Sequence, residues 1–132
     1  MVVQRLADLQ NVNAIAAGET LPFAPAGLNV VYGRNGAGKT GYSRVFKHAG
    51  RTLYRETVLS NVTDEDAGSP RATMTIEIGG VRRDETVALD EVAPALLARI
   101  CVADAKAGER YLTHDSEVAY APESLKSIDA RR

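Results

Sequence analysis

Gly33, Gly36, Gly38, Lys39 and Thr40 are the residues of this chain whose types and spacing most directly suggest chemistry. They satisfy G-x-x-x-x-G-K-[ST], the pattern of a loop that cradles phosphate groups. Each residue type answers a physical need. Glycine allows the positive or crowded φ values that turn successive backbone N–H groups toward an anion. A helix beginning at the end of the loop adds its dipole-positive terminus and its unpaired N–H groups. Lys39 can reach β- and γ-phosphates, and the Thr40 hydroxyl can join the shell of a Mg²⁺ ion. Arg34 lies inside the loop, where contact with phosphate or with a partner competes with a solvated side chain. The candidate nucleotide-binding set is Gly33, Arg34, Asn35, Gly36, Ala37, Gly38, Lys39, Thr40 and Gly41.

Such a loop works only between a strand and a helix. The apolar run at 28–32 (Leu-Asn-Val-Val-Tyr) predicts a buried parallel strand. The spacing of Tyr42, Val45 and Phe46 predicts a helix over 40–48, with Gly50 ending it. Upstream, Leu6, Leu9, Val12 and Ile15 recur every three residues, which suggests a short helix and then a strand at 12–15. Pro22 confines 20–23 to an edge strand or a loop. Downstream, 51–71 is rich in Asn, Asp, Gly, Ser and Pro and reads as loop. Residues 73–78 alternate, with Met74, Ile76 and Ile78 on one face, and Gly79-Gly80 signals a hairpin into 81–89. A short helix at 91–98 tolerates Pro94 in its first turn. A second buried strand is expected at 99–103, a short strand at 117–120 and the start of a helix at 124–132.

Asp104 is the remaining candidate for metal chemistry. It follows Ile100-Cys101-Val102-Ala103, so the segment resembles a Walker B strand whose carboxylate could hold Mg²⁺ through water. Apolar strands ending in Asp are also common without any metal role, and Ala105 leaves no adjacent glutamate to polarise water. His48 and His114 lack partners at zinc-ligand spacing, and His48 suits a helix C-terminus. Cys101 reads as a buried, inert thiol. Arg82-Arg83 and the acidic run 64–66 read as solvated surface.

With 132 residues the chain is expected to form one domain. Its 25% charged and 45% hydrophobic residues are ordinary for a globular protein, and a net charge of −1 gives no support for a broad nucleic-acid surface. No apolar stretch approaches the ~20 residues of a membrane span. A lone cysteine fits a reducing cytoplasm.

The Asn-Gly inside Gly33-Arg34-Asn35-Gly36-Ala37-Gly38-Lys39-Thr40 resembles the ABC-type ATPase heads of the SMC, RecN and RecF kind. Val12-Asn13-Ala14-Ile15, Gly27 to Gly33, and Gly41-Tyr42-Ser43-Arg44-Val45-Phe46-Lys47 look like a bacterial SMC-like group. Its relatives include the AAA-family ATP-binding parts of RloC- and PrrC-like anticodon nucleases. Leu59-Ser60-Asn61-Val62, Val102-Ala103-Asp104 and Glu117 to Pro122 are similar to that group's downstream blocks, so the likeness runs from about Val12 to Ile128. It implies an α/β P-loop NTPase fold, with parallel core strands beside an antiparallel hairpin. Residues 1–132 would be the N-terminal lobe of a split head, ending where a helical insertion begins. ATP and Mg²⁺ would be the ligands. The partners would be the C-terminal lobe of the same head and a second head in a head-to-head homodimer, acting on DNA or RNA. In that setting Asp104 stands near a position where such heads place a glutamine. Two other readings remain: a small P-loop kinase with Asp104 as Walker B, and a non-catalytic interaction module with a vestigial loop.

Overall fold

A computed structural model describes residues 1–58 and 68–113. The expected elements at 117–120 and 124–132, the acidic run 64–66, His114, and the similar blocks at 59–62 and 117–122 lie outside the described residues. The described elements are β1 (Val2–Gln10), β2 (Leu21–Pro22), α1 (Lys39–Ala49), β3 (Arg71–Ile78), β4 (Val81–Ala88), a 3₁₀ helix (Ala95–Arg99) and α2 (Ala105–Thr113).

The four strands form one sheet in the order β2-β1-β3-β4, and every pair is antiparallel. The β3–β4 hairpin is the one the sequence predicts. Ile78 pairs with Val81, so the link is Gly79-Gly80, with φ of 58° and 80°. Two consecutive positive φ values give the primed turn whose twist matches that of the flanking strands. Pro22 sits on the edge strand, where its missing N–H breaks no interior ladder.

β1 replaces the expected N-terminal helix. Its pairing with β3 shifts register between Ala7 and Gln10, and Asp8 there adopts φ 50°. In a regular strand, residues three apart face opposite sides. One extra residue in the strand changes the parity, so Leu6 and Leu9 are both buried. A three-residue spacing that mimics a helix is thus a strand period of two plus a bulge. Val12 and Ile15 continue into the same core, but as a turn rather than a strand: the Ile15 N–H donates to the Val12 carbonyl at 3.0 Å.

That core joins Leu6, Leu9, Val12 and Ile15 to Met74, Ile76 and Val87 of the sheet, to Val45 and Ala49 of α1, and to Leu97 of the 3₁₀ helix. Phe46 meets Phe23 edge to face at 5.6 Å. The helix predicted over 40–48 is α1, with Val45 buried and Tyr42 and Phe46 packed against the core. Gly50 ends it in an extended conformation (φ −94°), not a left-handed one. Its glycine identity answers a close approach, since a Cβ at 50 would stand 2.8 Å from the Ile100 carbonyl oxygen. The helix expected at 91–98 forms one turn later as the 3₁₀ helix, with Pro94 at its N-cap.

The parallel core expected from the sequence is not present among the described residues. Residues 28–32 form no strand, and Leu28, Val30 and Tyr32 are 89%, 78% and 93% exposed. A buried parallel strand needs a paired neighbour and cover on both faces. No described strand lies beside this run to supply them. Residues 99–103 make a single parallel bridge, Arg51 to Cys101, and Cys101 is exposed rather than buried. No described helix is long and apolar enough to cross a membrane.

Candidate functional site

The phosphate-loop residues converge at the start of α1. Gly36 and Gly38 take φ of 87° and 78°, the left-handed conformations their positions in the motif demand. The Ala37 N–H donates to the Arg34 carbonyl at 3.1 Å, closing the turn. Gly38 is the N-cap residue, and its carbonyl accepts from the N–H groups of Gly41 (2.8 Å) and Tyr42 (3.3 Å). No side chain caps this terminus and its first turn holds no acidic residue. The positive end of the helix dipole therefore faces the loop without a carboxylate to offset it.

Lys39 and Thr40 are the first two helical residues, both exposed. The Lys39 ammonium bends back across the loop and donates to the Arg34 carbonyl at 2.7 Å and to the Gly33 carbonyl. Gly33 and Arg34 thus enter the site through their backbone oxygens. The Arg34 side chain is exposed.

A cleft of about 290 Å³ opens here, lined by Asn13, Ala14, Asn35, Gly36, Gly38, Lys39, Thr40 and Gly41. This is near the lower end of small-molecule sites, ~300–1,000 Å³. Such a volume suits a polyphosphate tail with the remainder of a nucleotide lying outside. Asn13 and Ala14 form the wall opposite the loop, a contribution the sequence reading assigned to a strand instead. The sequence does carry one signal for it: Asn11 and Asn13 both adopt positive φ (52° and 49°), and Asn is among the few side chains that tolerate this.

Asp104 does not share this cleft. Its Oδ1 accepts from the Ala107 N–H at 2.8 Å, making it the N-cap of α2, and its Oδ2 pairs with Lys47 Nζ at 2.6 Å. Lys47 lies seven residues beyond Thr40, about 10 Å further along the helix. The structure does not bring the two expected metal-holding residues together: Thr40 lines this cleft, whereas Asp104 lies outside its lining and joins α2 to α1. Of the two, only Thr40 fits a Mg²⁺ ion held by phosphate oxygens and one hydroxyl. Among the described residues no group of three or more His, Cys, Asp or Glu side chains could hold a metal by itself.

Lys47 is 5% exposed and also bonds Glu56 Oε1 at 2.7 Å, while Arg44 Nε meets Glu56 Oε2 at 3.2 Å. The hydrogen bonds that the Lys47 ammonium donates to Asp104 and then to Glu56 raise its pKa above the ordinary value. Lys47 in turn lowers Asp104, helped by the Ala107 N–H, and lowers Glu56, helped by Arg44. Burial raises the Tyr42 hydroxyl, with the Glu19 charge adding to it. His48 sits in the last turn of α1 as expected, with Nε2 2.9 Å from the Glu91 carbonyl. No protein-family model matches the chain, and no curated protein matches it with significant similarity.

Proposed function

We propose that this chain is a nucleotide-binding lobe that takes ATP with Mg²⁺ through the loop Gly33–Thr40, in the manner of an SMC/ABC-like P-loop ATPase head. One observation carries the reading: Gly36 and Gly38 in left-handed conformations lead directly into an uncapped helix whose first residues are Lys39 and Thr40. A polyphosphate is the ligand that such a terminus, its backbone N–H groups and a lysine on a flexible stem would favour together. In this role Lys39 would exchange two backbone carbonyls for phosphate oxygens, and Thr40 would offer its hydroxyl to the metal ion. A Mg²⁺ ion held there would offset the negative charge of the phosphates.

The reading is of binding rather than turnover. No acidic side chain lines the cleft among the described residues, so none stands ready to orient an attacking water. A second lobe and a second head would have to supply that group. The exposed apolar run at 28–32 supports this reading, because a near-continuous apolar run before such a loop has the composition of a parallel strand covered on both faces. DNA or RNA as the ultimate target, and a reducing cytoplasm, accompany this proposal. The small-kinase alternative loses ground, since Asp104 is committed to Lys47 and Ala107.

The test is a thermal-shift and calorimetric titration with MgATP. Ligand at ~100-fold over Kd stabilises by ~2.7 kcal/mol, a shift of several degrees for a domain of this size. Lys39→Ala is expected to weaken binding at least tenfold and erase that shift while leaving the unliganded melting temperature unchanged. An unshifted wild-type melt at millimolar MgATP would reject nucleotide binding. Sustained, Lys39-dependent hydrolysis by the isolated chain would reject the half-site interpretation.

A further inference from the structure

Gly41 requires an explanation that the phosphate-loop pattern does not supply. It lies inside α1 with no positive φ, and glycine is less favourable there than alanine. The reason is steric. A Cβ at position 41 would stand 2.7 Å from Ile15 Cδ1 and 3.1 Å from Ile15 Cγ1. At Gly38 a Cβ would stand 3.1 Å from the same Cγ1. The Cδ1 approach is the severe one, and Ile15 is packed in the core, which limits the χ2 rotation that would carry Cδ1 aside. The Cγ1 approaches ask for only a few tenths of an ångström. Ile15 thus lies against the N-cap glycine and a glycine of the first helical turn, which together bracket Lys39 and Thr40. It is placed there by the 12–15 turn, whose Asn13 in the left-handed region sends Asn13 and Ala14 to the cleft wall and Ile15 inward.

We propose that Ile15 is a positioning residue for the phosphate loop: its side chain is the template against which Gly38 and Gly41 are set. The placement of Lys39 and Thr40 then depends on the turn that follows β1, not on the loop alone. This rests on the nucleotide-binding reading above, and the experiment separates the two.

A double-mutant cycle on the full chain tests it, with Gly41→Ala, Ile15→Val and the pair. Valine removes Cδ1 while keeping the branch at Cβ. Overpacking by Gly41→Ala is expected to weaken MgATP binding about tenfold. Ile15→Val alone should cost about threefold or less, and the pair should return to within about threefold of wild type. Amide resonances of Gly36, Gly38 and Thr40, recorded without nucleotide, should move in Gly41→Ala and return in the pair. A purely structural role would instead make affinity follow melting temperature across all variants. Wild-type affinity in Gly41→Ala, or a pair no better than the product of its singles, overturns the proposal. If wild type shows no Lys39-dependent binding, the nucleotide reading fails, and the amide spectra alone decide whether Ile15 sets the loop. Should Gly41→Ala not fold, recovery of a cooperative melt in the pair supports the proposal and its absence overturns it.

Discussion

Lys47 combines near-complete burial with two carboxylate partners, which makes it the residue whose charge has most at stake away from the loop. Its ammonium ties α1 both to Glu56 and to Asp104 at the head of α2, with Arg44 sharing Glu56. The sign of the pH dependence follows from the directions of the shifts. Asp104 and Glu56 have folded pKa values below their ordinary 3.8 and 4.5, so their contribution is fully present above those values and is lost as pH falls through the folded ones. Lys47 is shifted above 10.5, so its contribution holds below that value and is lost as pH rises through the folded one. Arg44 and Lys106 reinforce the acid limb, since both favour the ionised Glu56. Urea unfolding between pH 2.5 and 7 should therefore show a stability loss, beginning near pH 4.5, that is shallower in Lys47→Met. Removing the cation while keeping both acids leaves them facing each other near the α1–α2 junction. Lys47→Met is expected to destabilise at pH 7 by about 3 kcal/mol or less, because both carboxylates retain access to water. Parallel pH profiles of the two proteins would exclude this network as the source of the acid limb.

At the scale of elements, the hairpin offers a backbone test free of side-chain contacts. No atom lies within 4 Å of a Cβ built at Gly79 or Gly80, so any penalty there comes from positive φ alone. Gly80→Val is expected to cost about 1–2 kcal/mol, and Gly79→Asn less than about 0.5 kcal/mol, because Asn-Gly suits the same primed turn. Equal losses in the two variants, read by chemical denaturation, would contradict this turn assignment. The hairpin and α1 were legible in the sequence because their signals are local: a two-glycine link between alternating runs, and Tyr42, Val45 and Phe46 on one helical face. β1 was not. Its hydrophobic spacing carries a bulge at Asp8, and a bulge is defined against a partner strand more than sixty residues away. The glycine-rich turn from Gly33 into the helix was readable because its pattern is contiguous, with Gly36 and Gly38 taking the positive φ values expected of them. The other wall of the cleft was not, since Asn13 and Ala14 arrive there through the fold while Ile15 turns inward to the core. Asp104 shows the same limit in reverse. An acid after an apolar run looks like a metal ligand until Lys47 and the Ala107 N–H are seen to occupy it.

At the scale of the whole molecule, the run at 28–32 is where sequence pattern and observed structure call for opposite energetics. Its composition is that of a strand buried on both faces, which would make Leu28 and Val30 worth about 1.5–3 kcal/mol each. In the described fold Leu28 is 89% and Val30 is 78% exposed, and surface substitutions without special contacts change stability by about 0.5 kcal/mol or less. Leu28→Ser and Val30→Ser should therefore leave the urea midpoint of the isolated chain almost unmoved. The same run, with Val31 at 47% and Tyr32 at 93% exposure, offers contiguous apolar surface outside every described strand and just before Gly33. Surface of that kind promotes association. Sedimentation of the wild-type chain should show concentration-dependent self-association that the two serine variants reduce together. A midpoint loss of strand-like size in the monomer would instead mean that 28–32 is already buried there, and that the loop is entered from a paired strand. A stability-neutral pair that lowers association would place the value of these side chains in a contact made after folding. MgATP affinity measured on the same variants then reports whether that contact is needed to hold Gly33 and the loop behind it.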